Sequence, residues 1–300
     1  MLQALIPVIY KKFGAWYTKH FKKLFAIPII AFLAASAIFV GNFIERGEVF
    51  RKNIDLSGGT VVTLYLSEVP QGMKDVFESH EISVREIHSV TTGELVATIL
   101  EAGPEIQEED ITSLINQTLP GADYDIRNVG PSMGDSFMES AKKAVIISFI
   151  LMGIILAAIF RQPIVAFTVI LSGFLNVYEA SALMTVFGIK LSPHTIGALL
   201  MLMGWSVDSE VLFDSKIFKE QGGTSIGKAL EAMKTAMTMS AAVFAILIAL
   251  YFVSSSKMVK EIALVLFFGA TFDVINTWFQ SLSTVLWFVE SKEKKEAERI

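Results

Sequence analysis

The 300-residue chain is 53% hydrophobic and only 18% charged, with a mean hydropathy of +0.55. A soluble domain rarely has that balance, whereas a polytopic membrane protein does. Cysteine is absent, which excludes disulfides and thiolate metal sites, and the net charge of −5 comes with no basic surface for nucleic acid.

Residues 1–23 mix Leu5, Ile6, Tyr10, Phe13, Trp16, Tyr17 and Phe21 with Lys11, Lys12, Lys19, Lys22 and Lys23. That mixture predicts an amphipathic helix lying among lipid headgroups. Residues 24–44 are an apolar run too long for the core of a signal peptide, so they read as an uncleaved first span. Residues 45–143 have the composition of a water-soluble domain. Strands are predicted at 60–66, 82–90, 94–100 and 124–129, with helices at 70–80 and 108–119. The order β-α-β-β-α-β is that of a ferredoxin-like domain. Five more spans are expected within 144–289, at 144–160, 164–187, 195–218, 235–253 and 262–288. The connection 219–234, with Gly222 and Gly223, reads as an interfacial helix. A charged tail occupies 290–300. The fold class is therefore a polytopic α-helical membrane protein of six transmembrane helices with one extracytoplasmic α+β domain.

Lysine and arginine set the orientation. Lys11 to Lys23, Arg161, Lys216, Lys219, Lys228, Lys234, Lys292, Lys294, Lys295 and Arg299 fall on one side; the opposite short loops hold only Lys190, Lys257 and Lys260. The positive-inside rule places both termini in the cytoplasm and the soluble domain outside a cell membrane crossed several times.

Acids inside the spans are the candidate functional groups, because a carboxylate in hydrocarbon costs several kcal/mol unless it has a partner, a proton or a wet seam. On 195–218, Asp208 and Glu210 point to nearly opposite sides, while Glu210 and Asp214 share a face at i, i+4. Gly204 lies one turn before Asp208 and admits a close backbone. Ser172, Asn176 and Glu179 share one face of the third span, and Asp273, Asn276, Thr277, Gln280 and Thr284 form a polar stripe on the last. Lys234 and Thr238 stand one turn apart on the fifth. Interhelical hydrogen bonding, at roughly 0.6 kcal/mol per contact, is the plain alternative for such polar groups. Acids on three spans favour a proton-conducting seam, with Asp208, near mid-membrane, as the expected carrier.

Two short motifs flank the outer domain. One is Asn53-Ile54-Asp55-Leu56-Ser57-Gly58-Gly59-Thr60; the other is Val129-Gly130-Pro131-Ser132-Met133-Gly134. Their glycines make them candidate hinges. Together with Gly204-Trp205-Ser206-Val207-Asp208-Ser209-Glu210, they give the chain a resemblance to the SecF branch of the SecD/SecF protein-export family, archaeal type, within the resistance-nodulation-division superfamily. The resemblance implies a subunit acting with SecD, the Sec translocon channel and the translocating polypeptide in the lipid bilayer, driven by the proton motive force. It singles out Asp55, Gly58, Gly59, Gly130, Pro131, Gly134 and Gly204 as motif residues. Three positions depart from the family pattern: Ser209 where the acid commonly stands, Lys234 for an arginine, and Asn53 for a glycine. The alternative is half of a small-molecule or lipid efflux transporter of the same superfamily, and a scaffold without transport chemistry is the third reading. No nucleophile–base pair, metal-ligand spacing, phosphate loop or cofactor motif is present, so no enzyme is expected.

Overall fold

A computed structural model describes residues 16–298 apart from 18, 67, 71, 90, 91 and 221. Most of the amphipathic segment expected at 1–23 therefore lies outside the described residues. Helix α1 (Ala26–Arg46) stops where Gly47 takes a left-handed conformation and its amide caps Phe43. A single turn, α2 (Ile54–Ser57), then leads into a four-stranded antiparallel sheet: β1 (Gly59–Tyr65), β2 (Ser83–His88), β3 (Leu95–Ala102) and β4 (Asp123–Val129), in the spatial order β2-β3-β1-β4. The helices α3 (Met73–Glu78) and α4 (Glu108–Thr118) fall between β1 and β2 and between β3 and β4. Alternation along β1 turns Val62 and Leu64 inward, where they meet Phe77 of α3 and Ile111 and Ile115 of α4. Three acids, Glu108, Glu109 and Asp110, occupy the first turn of α4, where they complement the helix dipole.

The long helices are α5 (Pro131–Phe160), α6 (Pro163–Val186), α7 (Pro193–Lys219), α8 (Ser225–Val253) and α9 (Lys257–Ile275). A π turn (Asn276–Ser281) and α10 (Leu282–Ala297) continue the last rod. Proline at the first helical turn opens α5, α6 and α7, and Ser192 with Thr195 closes a capping box on α7. Among the described residues, five helices are long and apolar enough to cross a membrane: 19–46, 134–160, α6, α7 and α8. Only α6 and α7 are about half buried, at 56% and 50%, so they form the centre with α9 beside them. The other three, at 11–17%, turn apolar faces outward.

Some boundaries differ from the sequence reading. Helix α5 starts at Pro131, not Ala144, because Gly130-Pro131 begins the helix directly after β4. Of the interfacial helix expected at 219–234, residues from Ser225 on are instead the first part of α8, capped by Thr224 accepting from the Gly227 amide. The last apolar run is not one uniform α-helix; the π turn interrupts it among its polar residues.

The two motifs meet at one junction. The Asn53 amide donates to the Leu191 carbonyl and the Leu191 amide to the Arg51 carbonyl, both at 2.7 Å, which ties the segment ahead of the sheet to the α6–α7 loop. Gly59 has φ +135°, and a Cβ there would overlap the Ala102 carbonyl. Gly134 sits flush on the Leu56 backbone, so α5 and α2 touch where a side chain would not fit. The two candidate hinges are thus also sites of close backbone packing.

Candidate functional site

Four carboxyl groups are buried in the helix bundle: Glu179 on α6, Glu210 and Asp214 on α7, and Asp273 on α9. Among the described residues no lysine, arginine or histidine is buried with them. Amides and hydroxyls link Glu179 to Asp273, and a serine hydroxyl meets Glu210. Asn176 Nδ2 donates to Ser206 Oγ at 2.7 Å and to Asp273 Oδ1 at 2.9 Å. Asn276 Nδ2 donates to Asn176 Oδ1 at 2.7 Å and to Glu179 Oε2 at 2.8 Å. Ser281 Oγ donates to Glu210 Oε2 at 3.0 Å, and Ser209 Oγ to Asp273 Oδ2 at 3.5 Å.

Helical spacing produces this seam. Ser172, Asn176 and Glu179 share one face of α6; Ser206, Ser209 and Glu210 answer from α7; Asp273 and Asn276 close it from the last rod. Asn176 and Asn276 use both of their amide hydrogens, yet other buried polar atoms are left over. One oxygen each of Glu179 and Glu210, both oxygens of Asp214 and both polar atoms of Gln280 are buried without a hydrogen-bond partner. An ionised carboxylate so placed costs many kcal/mol unless a proton, a mobile ion or water meets it. The arrangement suits passage of a small cation, a proton above all. No cluster of histidine, cysteine, aspartate and glutamate among the described residues has the makings of a metal site.

Asp208 does not join this seam. It is exposed on the opposite side of α7, in an apolar groove of about 470 Å³ between α5 and α7, lined by Leu151, Ile155, Met203, Gly204 and Val207 among others. The cause is the 200° that two helical residues turn, which puts Asp208 out wherever Glu210 is in. Gly204 borders the same groove with open space above its Cα. Lys234 is likewise exposed, away from the acids, with its carbonyl accepting from Thr238 Oγ1 at 2.9 Å. The remaining motif residues are at the junction: Asp55 accepts from Asn53 Nδ2 and lies 3.8 Å from Arg127, Gly58 has φ +78°, and Gly130 caps α5 ahead of Pro131. The sequence reading missed Ser206 and Ser281 as site groups. Ser206 was legible, since it lies one turn before Glu210; Ser281 depends on the π turn.

At the first turn of α7, His194 Nε2 is 2.8 Å from Glu261 Oε2, just outside the apolar run that begins at Ile262. Burial opposes ionisation of Glu261, but His194 and Lys257 together hold its carboxyl below the usual range.

The signature of the protein export membrane protein SecD/SecF C-terminal family matches residues 111–291. A protein-export membrane protein SecF from Pyrococcus furiosus is 32% identical over 92% of this chain and 93% of its own length. One from Thermococcus gammatolerans is 34% identical over 91% and 87%. The crystal structure of SecDF in a super-membrane-facing form superposes with a TM-score of 0.69 at 18% identity, covering 95% of this chain. The match spans only 40% of that larger SecDF chain.

Proposed function

This chain belongs to the SecD/SecF family of protein-export membrane proteins, and from that premise we propose that it couples a transmembrane proton gradient to polypeptide release from the Sec channel. It is an accessory subunit of Sec protein export and a multi-pass membrane protein; the relatives' shared naming favours export over efflux. The observation that carries the coupling is the set of four buried carboxyls, Glu179, Glu210, Asp214 and Asp273, with no buried cation among the described residues to neutralise them. In an export subunit, groups that must gain and lose a proton are the economical explanation of such a set.

The finer assignments follow as parts of the same proposal. The 262–288 part of the last rod is the sixth span, its polar stripe turned inward. Both ends are cytoplasmic, with 1–23 at the inner interface, 24–44 as the first span, 45–143 outside as a ferredoxin-like domain, 144–289 as the remaining spans and 290–300 as the inner tail. The protein is no enzyme. Its partners are a SecD-type half, the Sec channel and the moving polypeptide. The groove holding Asp208 and Gly204 is the face offered to the SecD-type half, because an exposed carboxyl inside a span needs a donor from another helix. Seams between two related halves are where transporters of this kind place such groups.

Inverted vesicles carrying the complete translocon, the SecD-type partner and this chain test the coupling. An imposed proton gradient should accelerate export, and converting all four buried acids to their amides should remove the acceleration while leaving assembly unchanged. Equal acceleration with the fourfold variant would refute the proposal and leave the polar seam as a clamp.

A further inference from the structure

In an α-helix the Leu282 amide would donate to the Trp278 carbonyl. Here it donates to the Thr277 carbonyl, one residue further back, as part of the π turn over Asn276–Ser281. Such turns are rare and concentrate at functional sites. The wider winding matters for Ser281. In a uniform α-helix it would stand about 80° around the axis from Asp273, at the edge of the polar stripe. The π turn carries it back onto that face, where its hydroxyl reaches Glu210.

The displaced Trp278 carbonyl is met from elsewhere in the chain. Tyr17 Oη donates to it at 2.6 Å and lies 3.1 Å from Ser283 Oγ. Tyr17 is 1% exposed, and it packs with Phe21, Phe213, Ile217, Trp278 and Leu282 in one apolar cluster. A backbone carbonyl taken out of the helical ladder in an apolar setting needs a donor, and Tyr17 is one that an α-helical register would not require. We infer that Tyr17, ahead of the first span, is a positioning residue of the buried carboxyl site, its hydroxyl holding the π turn that seats Ser281 on Glu210. Glu210 also faces Asp214 from its own helix, Asp273 from α9 and Ser172 from α6. The functional side of this inference rests on the proton-coupling proposal; its geometric side does not.

The chain lacks cysteine, so a single Ser281→Cys reports on the turn in the assembled complex. Position 281 is fully buried and should react slowly with a membrane-permeant maleimide. Adding Tyr17→Phe, which keeps the ring, should speed labelling about tenfold, the scale of one lost hydrogen bond. Adding Phe21→Leu, which loosens the same cluster without touching the hydroxyl, should change it less than about twofold. In the natural background, Tyr17→Phe and Ser281→Ala should each lower gradient-driven export about fivefold and displace its pH profile in the same direction, with the double variant no worse than either. Unchanged labelling with Tyr17→Phe overturns the inference, as does equal acceleration by Phe21→Leu. If the unmodified chain shows no gradient-driven export, the coupling proposal fails while the labelling still decides the role of Tyr17.

Discussion

Helix α7 has acids on two sides, and the sides have different surroundings. On the buried side, Glu210 accepts from Ser281 and Asp214 is fully enclosed without a hydrogen-bond partner. Toward α5, Asp208 stands exposed beside Gly204 in a groove whose lining is otherwise almost wholly apolar. The three residues lie within two turns of one helix. What separates them is rotation about its axis, so the neighbours, not the residue type, decide which acid belongs to the inner seam and which awaits another chain.

Substitutions on the two sides sharpen that comparison. The largest effect is expected on the buried side. Asn276→Leu keeps the size but removes a donor shared by Asn176 and Glu179, leaving two buried acceptors unmet at about 1–3 kcal/mol each. Thermal unfolding of the purified protein should shift down by several degrees, whereas Gly204→Ala on the open side, with nothing within 4 Å of the new Cβ, should leave it unchanged. Equal shifts would mean that the two sides are not different environments. A middle-sized effect belongs to the groove: Gly204→Leu should weaken capture of the SecD-type partner in nanodiscs about tenfold without lowering thermal stability. Undiminished capture would show that this face meets lipid only.

The smallest effect lies outside both faces. The carboxyl of Glu261 is held below its ordinary value near 4.5, so the stability it contributes is present above that pH and is lost as pH falls through the lowered value. At pH 7, Glu261→Gln should cost no more than about 1 kcal/mol, the range of a partly exposed ion pair. The difference between variant and parent should shrink on acidification below about pH 4.5. A gap that widens there would contradict the His194–Glu261 pairing.

Much of this was legible in the sequence. Runs of apolar residues marked the helices, and alternating strands with their intervening helices gave the element order of the outer sheet. Gly59 and Gly134 were singled out by their motifs, although their use is close packing of backbone on backbone, which no motif spells out. The stripe from Asp273 to Gln280 and the face of Ser172, Asn176 and Glu179 followed from helical spacing. The rotation of α7 did not. It carries polar groups on two sides, and periodicity alone does not say which of two polar faces turns inward. Spacing named Asp208, Glu210 and Asp214 together as candidates, and only the structure shows that Glu210 and Asp214 are buried while Asp208 is exposed. The π turn left no mark in Asn276–Ser281, because it is fixed by a tyrosine more than 250 residues earlier in the chain.

The most direct test sets the two sides of α7 against each other in one preparation. Glu210→Gln and Asp208→Asn, each assembled with excess SecD-type partner and the translocon in sealed vesicles, are compared for export with and without an imposed proton gradient. The account predicts that Glu210→Gln exports at the rate seen without a gradient, while Asp208→Asn, once assembled, keeps the acceleration of the parent chain. Acceleration retained by Glu210→Gln and lost by Asp208→Asn would place the proton path on the open face of α7 and contradict it.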